Sequence, residues 1–596
     1  MSNIFLNEFL KDLIRKNWII RFFVLLFLKP KRFMNDFVYS FIDYRRFKKS
    51  VRGFKSFFRR TQKADTGNSR PGLLLVAGAA MNAQWCQLWS VMSAVYRNKN
   101  YTTLVLTSKN EPIRNLYFRL FDVRLIYIED LNIKATPIPS VLSNQINTLE
   151  TFEDFKDYEL DGIPVGKMAL STYGRLRATG VIDISDSEVK KGAKYWIGYL
   201  YQTLEISRQV YKKYNIQMLF FTEVFMEEYG AFYYGALHSD LNILRFAGTV
   251  RDDAIIVHHL TMESDRTHHA AVVSKTWERI CSYPESKKMY SELEQNFLDR
   301  YGDRWALSKR NQPNTVIMSP DEARKHLGIT KDRKTAVIYS HILYDTLFFF
   351  GEDLFPCYAD WFIETVKAAC LNPDIQWFVK VHPSNLWRGE LEHFFGGEYE
   401  EVRLIKREIG DLPAHVTMVY PDTPISPYSW FQITDYGVTV RGTSGIEMGA
   451  LGKSVVTAGT GRYEKIGFTI NPKSSTEYLD LLAKLHTVPE PSEEQQRLGA
   501  RFAYTTFCMK PYTMDYLKPV PRASKSDIFS SDDLVYLGNF AENMTEIPNS
   551  LERFVEWSLD RNDIDFINDW PEAEGGSANG LEENAVNEKV VAAGGD

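Results

Sequence analysis

The stretch "YGVTVRGTSGIEMGALGKSVVTAG", Tyr436 to Gly459, decides the reading of the chain. Tyr436–Val440 is a short apolar run, the form taken by a strand buried on both faces. A small-residue turn follows, then a helix from about residue 444, then a second apolar run, Ser454–Gly459. Strand, helix, strand in so short a span argues for a parallel sheet. Ligands of such sheets bind beyond the carboxyl ends of the strands. The turn "RGTSGIE", Arg441 to Glu447, suits an anion at that place. Gly442 and Gly445 allow close backbone approach, Thr443 and Ser444 carry hydroxyls, and a helix N-terminus offers free N–H groups and a favourable dipole. Glu447 can accept hydrogen bonds from a ribose diol. Equally, Thr443 or Ser444 can be an ordinary helix cap with Glu447 as its capping-box partner.

The same alternation extends outward. "KTAVIYSHI" (334–342), "IQWFVKVHP" (375–383) and "VTMVYP" (416–421) read as strands, with helices near 356–371 and 426–433. His341 ends the first strand, and Lys380 and His382 end the second. A basic residue closing an apolar strand costs desolvation unless it finds a partner. If these strands are neighbours, His341, Lys380, His382 and the 441–444 turn converge. Upstream lies another series: apolar runs at 73–77, 102–108, 124–130, 218–224 and 254–259, separated by helical patterns, notably about 188–214. The expected fold is α/β, with two tandem Rossmann-like domains, at 70–271 and 331–480. A helical connection (272–330) joins them, further helices (481–565) pack back across both, and an acidic, Gly/Ala-rich tail (566–596) is disordered. "VAGAAMNAQW" lacks GxGxxG and GxxxxGK, which disfavours dinucleotide-dependent oxidoreductases and P-loop enzymes.

The chain has 596 residues, too many for one core. Its five cysteines are scattered without a CxxC pair, which argues against a disulfide framework or a zinc site. No DxD or HExxH stands at a strand end, so no obligatory metal is expected. No convincing signal peptide is present. The net charge of −5 hides an asymmetry: residues 1–63 hold 16 Lys or Arg against 4 Asp or Glu, about +12, leaving about −17 for the rest. This basic arm (1–65) is also aromatic. Its run Trp18–Leu28 falls short of the roughly 20 apolar residues a spanning helix needs. A helix lying on an anionic membrane fits it, as does an arm whose apolar face packs on the body. A nucleic-acid partner is disfavoured, because the remainder is acidic.

"VKVHPSN" followed by "VTVRGTSGIEMGALGKSVVTAGTGRYEKIGFT" resembles the bacterial capsule polysaccharide biosynthesis glycosyltransferases, including those that move the acidic sugar Kdo from its cytidine monophosphate donor. "SHILYDTLFFF" and "YADWFIETV" also resemble segments that precede the "HP" strand in that family. The resemblance covers about 330–475, with a weaker echo in "DGIPVGKMALSTYGRLRATG" (161–180). It implies a GT-B fold, with the donor nucleotide held by the C-terminal domain, the acceptor by the N-terminal one and catalysis in the cleft. Carried over residue by residue, it implies that His382 and Lys380 meet the donor phosphate, that Thr443 and Ser444 bind phosphate, and that Glu447 holds the ribose. His341 and Asp345 would lie at the cleft, and Tyr463 would close over the sugar or base. It implies no cofactor beyond the nucleotide-sugar donor, a membrane-lipid-linked glycan acceptor, and a cytoplasmic enzyme peripheral to the inner face of the cytoplasmic membrane.

A catalytic base or nucleophile is then expected from the N-terminal half. Glu223, closing "MLFFTEV", His258, closing "AIIVHH", and Asp161 in the "DGIPVG" loop are the candidates, with His238, His268 and His269 ranked lower. A teichoic-acid-type polyol-phosphate transferase and a non-catalytic polysaccharide assembly or export partner are the alternative readings.

Overall fold

In the computed structural model, the described residues are 34–61, 70–78, 81–302, 304–306, 312–330, 333–386, 398–523 and 534–570. Continuous apolar runs become strands buried on both faces: Leu73–Val76 and Ala336–Ile338 are almost wholly inaccessible. In the N-terminal domain β1 (Gly72–Gly78), β2 (Thr102–Thr107), β3 (Arg124–Tyr127), β4 (Ile216–Phe221) and β5 (Asn242–Gly248) run parallel in the order β3-β2-β1-β4-β5. In the C-terminal domain β7 (Lys334–Tyr339), β8 (Ile375–Lys380), β9 (Val416–Val419), β10 (Tyr436–Thr439) and β11 (Ser454–Thr457) repeat that pattern as β9-β8-β7-β10-β11. Each sheet therefore reverses direction once, between β1 and β4 and between β7 and β10, and a crevice opens at such a switch point.

The sixth strand departs from expectation. β6 (Ala254–Leu260) pairs antiparallel with β5 as a hairpin, Arg245 opposite His258 and Gly248 opposite Ile255. An apolar run is silent about direction. The carboxyl end of β6, with His258 and His259, therefore lies away from the mouth that the parallel strands share. The stretch 481–565 also holds more than helices. Between the helices Glu493–Tyr504 and Asn549–Leu559, β12 (Pro511–Thr513) adds to β6, and β13 (Leu517–Pro521) pairs with β14 (Leu534–Gly538). The chain thus returns to its N-terminal domain to finish that sheet.

The two domains meet through aromatic and polar contacts. Phe225 stacks on Phe349 with centroids 4.5 Å apart. Arg175 pairs with Asp345, and Glu400 accepts hydrogen bonds from Gly180 N (2.9 Å) and Thr179 Oγ1 (3.1 Å). The weaker sequence echo at 161–180 thus forms part of the docking surface.

Trp18–Leu28 and residues 571–596 lie outside the described residues. The described part of the basic arm forms helices Ser40–Ser50 and Arg52–Thr61. Their apolar face, with Phe47, Phe54, Phe57 and Phe58, is buried in the N-terminal domain core. Phe54 meets Phe540 at 4.4 Å and Phe121 at 5.8 Å. Arg45, Lys48, Lys49, Arg52, Arg59 and Arg60 remain exposed outside. No described helix is long and apolar enough to cross a membrane. Phe54→Ala is expected to destabilise the protein by about 3–5 kcal/mol, read as a lowered denaturant midpoint. An unchanged midpoint would show that this helix contributes nothing to the core.

Candidate functional site

The carboxyl ends of β7, β8 and β10 open into one cavity of about 780 Å³, within the usual size of a small-molecule site. It lies between the domains. His341, Lys380, His382, Thr443, Ser444 and Glu447 line its C-terminal wall.

Lys380 ends β8 and is 5% exposed. Among the described residues its ammonium makes no hydrogen bond or ion pair, and burial pushes it down to about 8. His382 follows in the turn. Its Nδ1 accepts from Ser384 N at 3.2 Å, so the neutral ring carries its proton on Nε2. His341 stacks on Tyr358 at 4.9 Å, with Nε2 3.2 Å from Thr439 Oγ1. Burial, reinforced by the Arg441 charge, lowers it well below the usual imidazole range.

The helix Thr443–Ala450 is capped by Gly442, without a side-chain cap. That removes the capping-box reading, because Thr443 and Ser444 are already helical and cannot cap the helix they begin. Glu447 is 2% exposed, and its Oε1 is held by Arg300 Nη1 at 3.0 Å and by the Tyr301 hydroxyl. Burial raises its carboxyl, and Arg300 opposes the rise. Arg300 and Tyr301 end the helix Lys287–Tyr301 in the connection between the domains, and both line the cavity.

Two expected site residues, Arg441 from the strand-end turn and Tyr463 from the resemblance, stand behind the wall. Arg441 is a strut: it reaches Tyr358 Oη and Thr460 O, each at 2.8 Å, and Asp353. Tyr463 does not close over the cavity. Its hydroxyl donates to Gly442 O at 2.8 Å, underneath the turn. A Cβ on Gly445 would come within 2.3 Å of that hydroxyl, so glycine is required there. Beside it, Arg462 lines the cavity, donating to Arg441 O and Thr443 Oγ1, each at 3.0 Å. Burial brings its guanidinium down to about 10.

The N-terminal candidates do not reach this cavity. Asp161 occupies an exposed turn with φ 53°. Glu223 accepts from Val224 N (2.8 Å) and Phe225 N (3.1 Å), folding back on its own backbone. His258 is buried in the hairpin, for the reason of strand direction given above. The N-terminal wall instead presents His268 and His269 beside Gly248–Arg251 and Ala270. The two rings lie 3.9 Å apart, and burial keeps both well below the usual imidazole range.

No protein-family model matches the chain, and no functionally curated protein matches it. Solved structures do. The β-Kdo 2,4 transferase KpsC of Thermosulfurimonas dismutans aligns over 50% of this chain and 82% of its own, at 15% identity and a TM-score of 0.31. UDP-GlcNAc 2-epimerase of Neisseria meningitidis, bound to UDP-GlcNAc, covers 73% and 97% at 10% identity and 0.25. MurG of Acinetobacter baumannii covers 73% and 94% at 9% identity and 0.25. The Kdo transferases resembled in sequence are thus among the structures matched. At these TM-scores the fold rests on the two sheets themselves. The chain has a GT-B fold.

Behind the C-terminal wall of the cavity, Glu401 fixes the turns after β7 and β8. Fully buried, it accepts from Ser340 Oγ (2.7 Å), Asn385 Nδ2 (3.0 and 3.2 Å) and the His382 backbone N–H. Burial pushes it up to about 7. The folded value exceeds the ordinary 4.5, so this group favours folding most fully below pH 4.5, and the benefit is lost as pH rises through about 7. Glu401→Gln is expected to flatten the pH dependence of stability over that window, measured by denaturation at pH 4.5 and 7.5. An undiminished dependence would assign it to other groups.

Proposed function

We propose that the protein is a glycosyltransferase that takes a nucleotide-sugar donor, with CMP-Kdo or a similar donor as the fitting class, and transfers the sugar to a membrane-linked glycan in surface or capsular polysaccharide biosynthesis. The observation that carries this reading is Lys380, a buried cation without a partner among the described residues. It faces the same cavity as a helix N-terminus capped only by glycine, at a sheet's switch point. In this reading Lys380, His382, Thr443 and Ser444 take the phosphate and Glu447 the ribose. His268 and His269 face the acceptor, and His269 serves as its proton acceptor, because the Nδ1 of His268 is occupied by Ala270 N at 3.0 Å. Glu223 and Asp161 lie outside the cavity, and His258 lies beneath its N-terminal wall. The exposed basic face of residues 40–61, with the segment before it, keeps the enzyme at the inner, anionic face of the cytoplasmic membrane.

Titration with CMP, CDP, UDP and GDP tests the donor. One nucleotide is expected to bind and to raise the melting temperature, by about 2.7 kcal/mol of stabilisation at a hundredfold excess over Kd. Lys380→Met is expected to weaken it at least tenfold without loss of fold. Because the ammonium loses its proton near pH 8, wild-type affinity is expected to fall between pH 7 and 9, and the Met variant to lose that slope. Absence of any nucleotide response would reject the reading.

A second measurement addresses the membrane. Deleting residues 1–33, and separately reversing Lys48, Lys49 and Arg52 to Glu, is expected to reduce sedimentation with phosphatidylserine vesicles, and raised salt to do the same. Equal sedimentation by all forms would exclude membrane recruitment through this arm.

A further inference from the structure

Beneath the N-terminal wall of the cavity, Arg245 of β5 is 6% exposed, and its guanidinium makes no hydrogen bond and no ion pair among the described residues. Its Nε and Nη1 are both buried and unpartnered. Opposite it on β6, His258 is 3% exposed with both ring nitrogens unpartnered. The Nδ1 of His269 is buried and unpartnered as well. Five buried nitrogens in one neighbourhood thus lack partners. An isolated buried charge costs several kcal/mol unless something compensates it. Protein groups do so weakly: Phe225 and Phe350 lie 4.8 and 5.7 Å from the guanidinium, and Glu223 is close enough to favour its charge without pairing with it.

We propose that Arg245, with His258 and His269, is a binding site for a single carboxylate carried by a substrate. His269 belongs to both places, lining the cavity while its Nδ1 stays buried. Arg245 and His258 lie one strand step, about 6–7 Å, below Ala247 and Ile256, on the same face. A guanidinium fork between two aromatic faces matches a planar carboxylate. Charge sets the stoichiometry. With the imidazoles neutral, the site offers one positive charge, which balances one carboxylate, whereas the donor phosphate has the Lys380 wall. The site rests on the proposed function only for which molecule bears the carboxylate: the transferred sugar or the acceptor glycan.

Glucuronate, glucose and CMP are titrated by calorimetry into the full-length protein and its Arg245→Met variant. Glucuronate is expected to bind saturably and glucose not at all, with glucuronate binding at least tenfold weaker in the variant and CMP binding unchanged. The variant is expected to melt no lower than wild type, since an unpaired buried charge is removed. His258→Gln, read the same way, serves if Arg245→Met does not fold. Absence of glucuronate binding to wild type, equal binding of glucose, or glucuronate affinity undiminished in the variants overturns the site. Glucuronate affinity that rises several-fold with saturating CMP places the carboxylate on the donor's sugar; unchanged affinity places it on the acceptor. Arg245-dependent glucuronate binding without any nucleotide response keeps this site and rejects the nucleotide-sugar reading.

Discussion

Lys380 is a charge that the fold buries without neutralising it, and the mouth of the C-terminal domain is organised around that fact. The β-strand that carries it holds no acidic residue, its only other polar side chain being Gln376 near the opposite end, so no carboxylate on the strand can pair with it. The turns on either side are instead fixed from behind. Glu401 gathers Ser340, Asn385 and the His382 backbone, while Arg462 and Tyr463 fix the turn at Gly442. These supports all act on backbone or on neutral groups. They set the geometry of the wall and leave the ammonium's charge uncompensated, an arrangement that favours an anionic ligand over a structural role.

The architecture was largely legible because doubly wound parallel sheets write themselves as repeated apolar runs between helices. The runs at 334–342, 375–383 and 436–440 became adjacent strands, and their end residues met. Direction was not legible. The run that became β6 looks the same whether it lies parallel or antiparallel, and only the short turn before it, with Thr249 and Arg251, carries a hint of a hairpin. That single ambiguity moved His258 from the mouth to the interior. The short strands within 511–538 were missed because β12 and β13 contain proline and β12 gains its partner, β6, only from a segment far away in sequence.

The site divided along the same line. Residues on strand ends and the following helix, from His341 to Glu447, could be located from local pattern. Arg300, Tyr301, Arg462, His268 and His269 sit on loops and on the inter-domain connection, and only the tertiary fold brings them to the cavity. Tyr463 and Arg462 show how fine the distinction is. They are adjacent in sequence, and Gly445, by lacking a side chain, lets the tyrosine lie beneath the turn while the arginine takes the surface.

Glu447 makes the connection between the domains part of the site. Its carboxylate is buried and would be costly alone, yet its partners Arg300 and Tyr301 come from the last turn of the helix that leads out of the N-terminal domain. Tyr301 is itself packed against Tyr428 and Phe431 of the C-terminal domain. A ligand group held by Glu447 is therefore held by an acid whose orientation depends on how that helix is seated. Sliding the helix by one turn, about 5 Å, would strip the carboxylate of its ion-pair partner Arg300 and its hydrogen-bond donor Tyr301 at once. The orientation of Glu447 is in this way tied to the seating of that helix through two side chains.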